Sequence, residues 1–248
     1  MSFCFSYSVD HSGECRTRPG LQKCKCFCMF LVIIPLYYIM NVSTQLRLFI
    51  LPTDSCQLTL DPNTAHRHLS LSGGNRKVTW GAEQPYPDHP ERFDGWYQIL
   101  CRESLTDRCY WEAEWGGDGA WIGALIGVTF KGIRRKGDSY GCGLGANDKS
   151  WILCCDPRSY SVQHNNEQTV IPIEPSGSRR VGVYLDWEAG VLSFYRVSSD
   201  GLILLHRVTS SFTEPLYPGF GIYPDSSVSL HMLGIGLCHI IPSTITPV

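Results

Sequence analysis

Beyond Pro52 the chain reads as short runs of alternating or continuous apolar residues, punctuated by glycine and proline. That texture is the signature of an antiparallel β-sandwich. No window sustains an i, i+3, i+4, i+7 apolar stripe, so the pattern predicts few and short helices. The segment CYWEAEW (109–115) alternates cleanly. Trp111, Ala113 and Trp115 share one face of a strand, and Glu112 and Glu114 share the other. The next run, AWIGALIGVTF (120–130), is apolar at nearly every position, which predicts a central strand buried on both faces. Trp151, Ile152 and Leu153 begin another strand. RVGVYLDWEAGVLSFYRV (180–197) predicts a hairpin in which Gly190 supplies the positive φ of a short turn. LYPGFGIY (216–223) and SVSLHML (227–233) predict the last strands. Leu60, Trp111, Trp115, Trp151, Leu185, Leu192 and Phe194 are the expected core.

The first 51 residues have a different character. From Cys26 to Leu46 the chain is uncharged, but Pro35 interrupts the run, and a span needs about 20 apolar residues. Some 25 residues precede the run, which is a poor fit to a cleavable signal. Two readings stay open: a segment outside the fold, or an anchor that would export the domain and the sequon at Asn41. Any membrane attachment would run through residues 26–46 alone. The expected organisation is a leader over 1–51, a β domain over 52–237 and a tail over 238–248.

Hydrophobic residues make up 43% of the 248-residue chain and charged residues 18%, enough to build a core and too apolar for disorder. The net charge of −2 divides into +3 over residues 1–51 and −5 over the remainder. A net-acidic domain excludes a general nucleic-acid binder, which needs a basic excess to neutralise phosphates. The twelve cysteines lack C-x₂-C pairs, and the seven beyond residue 51 are odd in number and scattered. They read as reduced thiols of a cytoplasmic protein rather than a disulfide framework or a zinc site.

Three motifs raise the question of chemistry. Gly137-Asp138-Ser139-Tyr140-Gly141 matches G-x-S-x-G, but a glycine-rich stretch follows where a hydrolase needs a helix, so it reads as a loop. Glu112 and Glu114, with Cα atoms about 6.8 Å apart on one strand face, have a separation of the order found where some glycoside hydrolases set acid and nucleophile on one strand. The ordinary reading is two solvated carboxylates on the outer face. His66 and His68 can share a strand face, yet two ligands without a third make no metal site. Arg134, Arg135 and Lys136 read as a solvated basic turn. No catalytic residue, metal or cofactor follows from the sequence.

The order and wording of these segments resemble the PRY-SPRY domain family, as found at the C-termini of fish tripartite-motif, NOD-like-receptor and stonustoxin-like proteins. The PRY half (about 54–106) carries LTLDPNTAHRHLSLS and, running into the next strand, PYPDHPERFDGWYQILCRESLTDRCYWEAEW. The SPRY half (about 107–237) carries GVTFKGIRRKG, NDKSW, VGVYLDWEAGVLSFY and FTEPLYPGF. The resemblance implies an all-β fold: a bent antiparallel two-sheet, concanavalin-like sandwich with few short helices. It also implies a non-catalytic module that grips a protein or peptide through loops at one end, in innate-immune or ubiquitin-ligase-type signalling. The family pattern places the loops at 83–96, 116–120, 154–160 and 222–226. The candidate contacts there are Tyr86, Asp88, Phe93, Trp96, Asp118, Asp156, Arg158, Tyr160, Tyr223 and Asp225. Aromatic and charged side chains of this kind dominate binding energy at interfaces. The competing readings are a carbohydrate-binding or carbohydrate-cleaving sandwich using Glu112 and Glu114, and membrane-anchored display of the same domain.

Overall fold

The computed structural model describes residues 54–117, 123–173, 177–199 and 201–233, together with the backbones of two outlying strands. Those strands, β1 (Leu46–Phe49) and β15 (Ile240–Ser243), pair with each other. By internal contacts the chain divides into Met1–Leu46 and Arg47–Val248, and the fold described here belongs to the second unit. Residues 1–45, with nearly all of the uncharged stretch and the Asn41 sequon, lie outside the described residues, as does the tail beyond Ser243. Among the described residues no helix is long and apolar enough to cross a membrane.

The remaining strands are β2 (Leu69–Ser72), β3 (Lys77–Trp80), β4 (Gln98–Leu100), β5 (Arg108–Gly117), β6 (Ala124–Phe130), β7 (Ser150–Asp156), β8 (Ser159–His164), β9 (Glu167–Ile171), β10 (Arg180–Asp186), β11 (Val191–Ser198), β12 (Gly201–Thr209), β13 (Leu216–Ile222) and β14 (Ser226–Leu230). They form two antiparallel sheets, ordered β12-β11-β10-β5-β14-β3-β2 and β4-β13-β6-β7-β8-β9. A 3₁₀ turn at Tyr140–Cys142 lies between β6 and β7. The all-β two-sheet expectation holds.

The core lies between the sheets, and the alternating segment shows why. Trp111, Ala113 and Trp115 are all buried in it. So are Leu60, Trp151, Leu185, Leu192 and Phe194. The hairpin of β10 and β11 turns as its sequence requires: Gly190 sits at φ +67, and a Cβ there would meet the Ser210 carbonyl oxygen at 2.0 Å. Short strands that the apolar pattern did not single out, β2, β3, β4, β8, β9 and β12, complete the sheets. They are partly exposed or only three or four residues long, so their periodicity is weak.

Two sequence expectations fail here. Glu112 is 1% exposed rather than solvated. The outer face of the first sheet carries its own small core, of Tyr110, Tyr184, Tyr195, Val197, Leu202 and Leu233, and Glu112 lies within it. A carboxylate taken out of water needs a counter-charge and hydrogen bonds. Arg180 supplies the charge at 2.5 Å, and the Tyr110 hydroxyl donates to Glu112 Oε1 at 2.7 Å. The ring of Tyr110 fits because it lies over Gly182, the cross-strand partner of Glu112, where a Cβ would come within 2.5 Å of its hydroxyl. Glu114, by contrast, stays largely exposed and meets His231 Nε2 at 2.9 Å. The second failure concerns the cysteines: Cys56 and Cys109 form a disulfide across 53 residues, joining the segment before β2 to β5. Cys101, Cys142, Cys154 and Cys155 are free and buried, as small apolar core residues.

Candidate functional site

The backbone register brings four chain segments to one end of the sandwich. In the second sheet Gln98, Gly221, Leu125, Cys154, Ser161 and Val170 form one cross-strand row. One row further on stand Ile222, Ala124, Cys155 and Tyr160, and beyond them the Asp156–Ser159 turn and Tyr223. In the first sheet the end of β5 reaches the same rim, since Gly117 pairs with Ser226. Asp156, Arg158, Tyr160, Tyr223 and Asp225 are therefore brought together. Asp225 adopts φ 63 in the tight turn before β14.

Between the sheet ends lies a cavity of about 210 Å³, walled by Trp115, Tyr160 and Ile173 and edged by Asp156, Ser159 and Arg179. The Arg179 guanidinium stacks 5.2 Å from the centre of the Trp115 ring and donates to the Gly117 carbonyl at 2.6 Å. Asp156 accepts the Arg158 amide at 2.8 Å, closing the turn, and leaves the Arg158 side chain 80% exposed. Tyr160 is 5% exposed, and burial raises its phenol to about 12. Tyr223 is half-buried over an outer-face cluster that includes Leu125 and Cys154, and burial likewise pushes its phenol to about 12. Both hydroxyls therefore act as neutral groups at physiological pH. At the far end of the row Val170 is 66% exposed, an apolar side chain left to solvent. Apolar walls with a few fixed polar groups suit the insertion of a partner's side chain.

The loop at 83–96 behaves differently from the expectation. Phe93 is fully buried, with the Arg135 guanidinium 4.9 Å above its ring. Tyr86 donates its hydroxyl to Leu69 O at 2.9 Å and carries Arg92 on its ring at 4.8 Å. Both aromatics hold the loop down, Phe93 from within the core and Tyr86 half-buried. Trp96 is half-buried and rests on Gly143 beside the rim. Asp88 is exposed, and Lys136 at 3.3 Å, by hydrogen bond and charge, holds its carboxyl below the usual carboxylate range. Asp118 lies outside the described residues. Nor is the run 134–136 wholly solvated. Arg135 is 8% exposed, which no local pattern foretold, because its partners Phe93 and Glu91 are some forty residues away.

Two further buried side chains escaped the sequence reading. Arg92 is 3% exposed and donates to the carbonyls of Pro62, Ala65 and Pro87, cross-tying the PRY-side turns. Gln98 bonds both Cys142 O and Leu144 N, fastening the glycine-rich 141–145 loop to β4. That loop contains the end of the G-x-S-x-G match, and the exposed position of Ser139 before a 3₁₀ turn gives no nucleophile elbow. Glu112 is sealed against Arg180 and Tyr110, so it offers no carboxyl to a glycosidic bond. Among the described residues no group of three or more His, Cys, Asp or Glu converges on a metal-binding geometry.

His66 does not lie on a strand, although its ring stacks on His68 at 5.6 Å. Its Nδ1 accepts the His68 amide at 3.1 Å, so Nε2 carries the proton and donates to Asp94 O at 3.1 Å. Both ring nitrogens are thus satisfied in the neutral form. Burial, the largest cause, lowers the ring's pKa from 6.5. The folded state then binds fewer protons than the unfolded one just below pH 6.5, so this group destabilises the fold as pH falls. The expected result is a thermal midpoint that drops between about pH 7 and about pH 5, with a smaller drop in His66→Gln. Identical slopes would remove His66 as a cause.

A two-sheet antiparallel sandwich bearing a rim of loops around a small aromatic cavity defines a β-sandwich domain. The comparisons give its family. The SPRY-associated domain, PRY, matches residues 58–105, and the SPRY domain matches residues 108–234. The chain belongs to the PRY-SPRY family, whose domains are protein-interaction modules. Its relatives include stonustoxin subunit beta of Synanceia horrida, 43% identical over 166 residues, which cover 66% of this chain and 23% of the toxin subunit. Tripartite motif-containing protein 16 of Mus musculus is 40% identical over 171 residues, covering 67% of this chain and 29% of that protein. The chain thus spans about a quarter of the length of these relatives. Among solved structures, stonustoxin aligns with a TM-score of 0.65 at 41% identity, covering 71% of this chain and 27% of its own. The TRIM65 PSpry domain aligns with a TM-score of 0.64 at 26% identity, covering 73% of this chain and 93% of its own.

Proposed function

We propose that this chain binds a protein or peptide ligand through the rim formed by the Asp156–Ser159 turn, Tyr223 to Ser226 and the end of β5. The observation that carries the reading is the cavity between Trp115, Tyr160 and Arg179, edged by Asp156 and Ser159 of the turn that carries exposed Arg158. Buried aromatics there cost little entropy to present, and the charged neighbours orient the partner. The reading extends to selecting targets in innate-immune or ubiquitin-ligase-type signalling, supported by tripartite-motif relatives. The test is capture of lysate proteins by the full chain and by its Arg158→Ala, Tyr223→Ala, Asp225→Asn variant. Partners recovered by the native chain should fall several-fold with the variant; equal recovery removes the rim.

A second reading concerns where the module works. A disulfide between Cys56 and Cys109 suits an oxidising compartment rather than the reducing cytoplasm, and toxin relatives are consistent with it. It also removes the objection that free cysteines raise against export of the domain, the membrane-anchored alternative. Alkylation of the protein as isolated from its cells should leave Cys56 and Cys109 unmodified until a reductant is added. Labelling of both without reductant would restore the cytoplasmic reading.

A further inference from the structure

A second cavity of about 210 Å³ opens away from the rim, floored by Leu100, Cys101 and Tyr217 and edged by Arg102, Lys131 and Arg135. Lys131 follows the C-terminal end of β6, whereas the rim lies at that strand's N-terminal end. Seven residues of extended chain separate the two sites by roughly 20 Å. The cavity therefore stands apart from the contacts proposed above.

Its charges are unevenly used. Glu91 on its edge is engaged by Arg135 Nη2 at 3.2 Å, and Asp61 Oδ1 accepts the Asn63 amide at 3.0 Å. Arg102 and Lys131 are exposed and make no ion pair among the described residues. The Arg135 guanidinium is fixed by the Ile133 carbonyl, Glu91 and the Phe93 ring, yet its Nε is buried without a hydrogen-bond partner. Leaving a buried cationic donor unpaired costs free energy. With Arg135 and Glu91 paired to each other, Arg102 and Lys131 outnumber the remaining Asp61 carboxylate, and over an apolar floor they complement a short anionic side chain with a methylene stem.

We propose that this cavity is a second contact site that takes the carboxylate side chain of an acidic peptide segment. The proposal rests on the reading of the chain as a protein-binding module but not on the rim. It gives the module two anchoring points on one ligand: a side chain in the Trp115 cavity and an acidic residue at Arg102 and Lys131. Two linked weak contacts raise the effective concentration of each other.

The experiment titrates a fluorescein-labelled hexaglutamate peptide into the full chain, with labelled hexaserine as control. The expected result is saturable binding of hexaglutamate alone, weakened at least about tenfold in Arg102→Glu, Lys131→Glu, the scale of losing a partly desolvated charge pair. Both substituted side chains are exposed, so the fold survives, which the thermal midpoint of the variant checks. Lys131→Gln should show a smaller loss in the same direction. The triple rim variant should bind hexaglutamate as the native chain does, which separates this site from the rim. Absence of saturable binding, equal binding of hexaserine, or unchanged affinity in the Arg102, Lys131 variant would overturn the proposal.

Discussion

Replacing Arg180 by alanine lowers the unfolding free energy by about 3 kcal/mol, read from chemical denaturation. The cost comes from Glu112, whose side chain is 0% exposed and would lose its Arg180 counter-charge. Removing one member of a buried pair typically costs about 3–5 kcal/mol; the lower figure applies because the Arg180 side chain is 36% exposed and water moderates the loss. A double substitution, Arg180→Met with Glu112→Gln, removes both charges and should recover most of the loss. The loss in Arg180→Ala arises from an abandoned carboxylate. A double variant as unstable as the single one would show that the pair is not what holds the outer face of the first sheet.

Phe93→Ala should lower stability by about 3–5 kcal/mol, the usual cost of emptying a buried aromatic site. Phe93 is fully buried in a cluster with Leu100, Leu125, Ile133 and Leu144, and its ring supports the buried Arg135 guanidinium. Its sequence position invites the opposite expectation, that it meets a ligand. The two roles separate experimentally, because an exposed contact such as Arg158→Ala should shift stability by less than about 0.5 kcal/mol. A Phe93→Ala protein with native stability and lost ligand capture would return Phe93 to the interface.

How far the sequence could be read depended on the range of each interaction. Trp111, Ala113 and Trp115 are legible as core because strand periodicity is local: every second residue must face the same side. The same periodicity assigns Glu112 to the outer face correctly, and then misleads about solvent. That face is covered by Tyr184 and Tyr195 from β10 and β11, seventy and more residues along the chain. Arg92, Gln98 and Arg135 were missed for a related reason. Each is a polar side chain buried by carbonyls or rings from distant turns, and nothing in its neighbours announces that burial. Of the candidate contacts, those in the loops at 154–160 and 222–226 were expected from the family pattern. Tyr86 and Phe93 were indistinguishable from contact aromatics until their partners were known.

The sequence by itself determined a two-layer β architecture, its tryptophan-rich core and the Gly190 hairpin. These follow from alternation, turn residues and apolar volume, which act over a few residues at a time. Only the tertiary structure decided which loop aromatics are sealed, that Glu112 is a buried ion pair, that Cys56 reaches Cys109, and where cavities open. Each of those depends on which distant segments meet, and burial changes the free energy of a charge or a ring only once the covering surface has arrived.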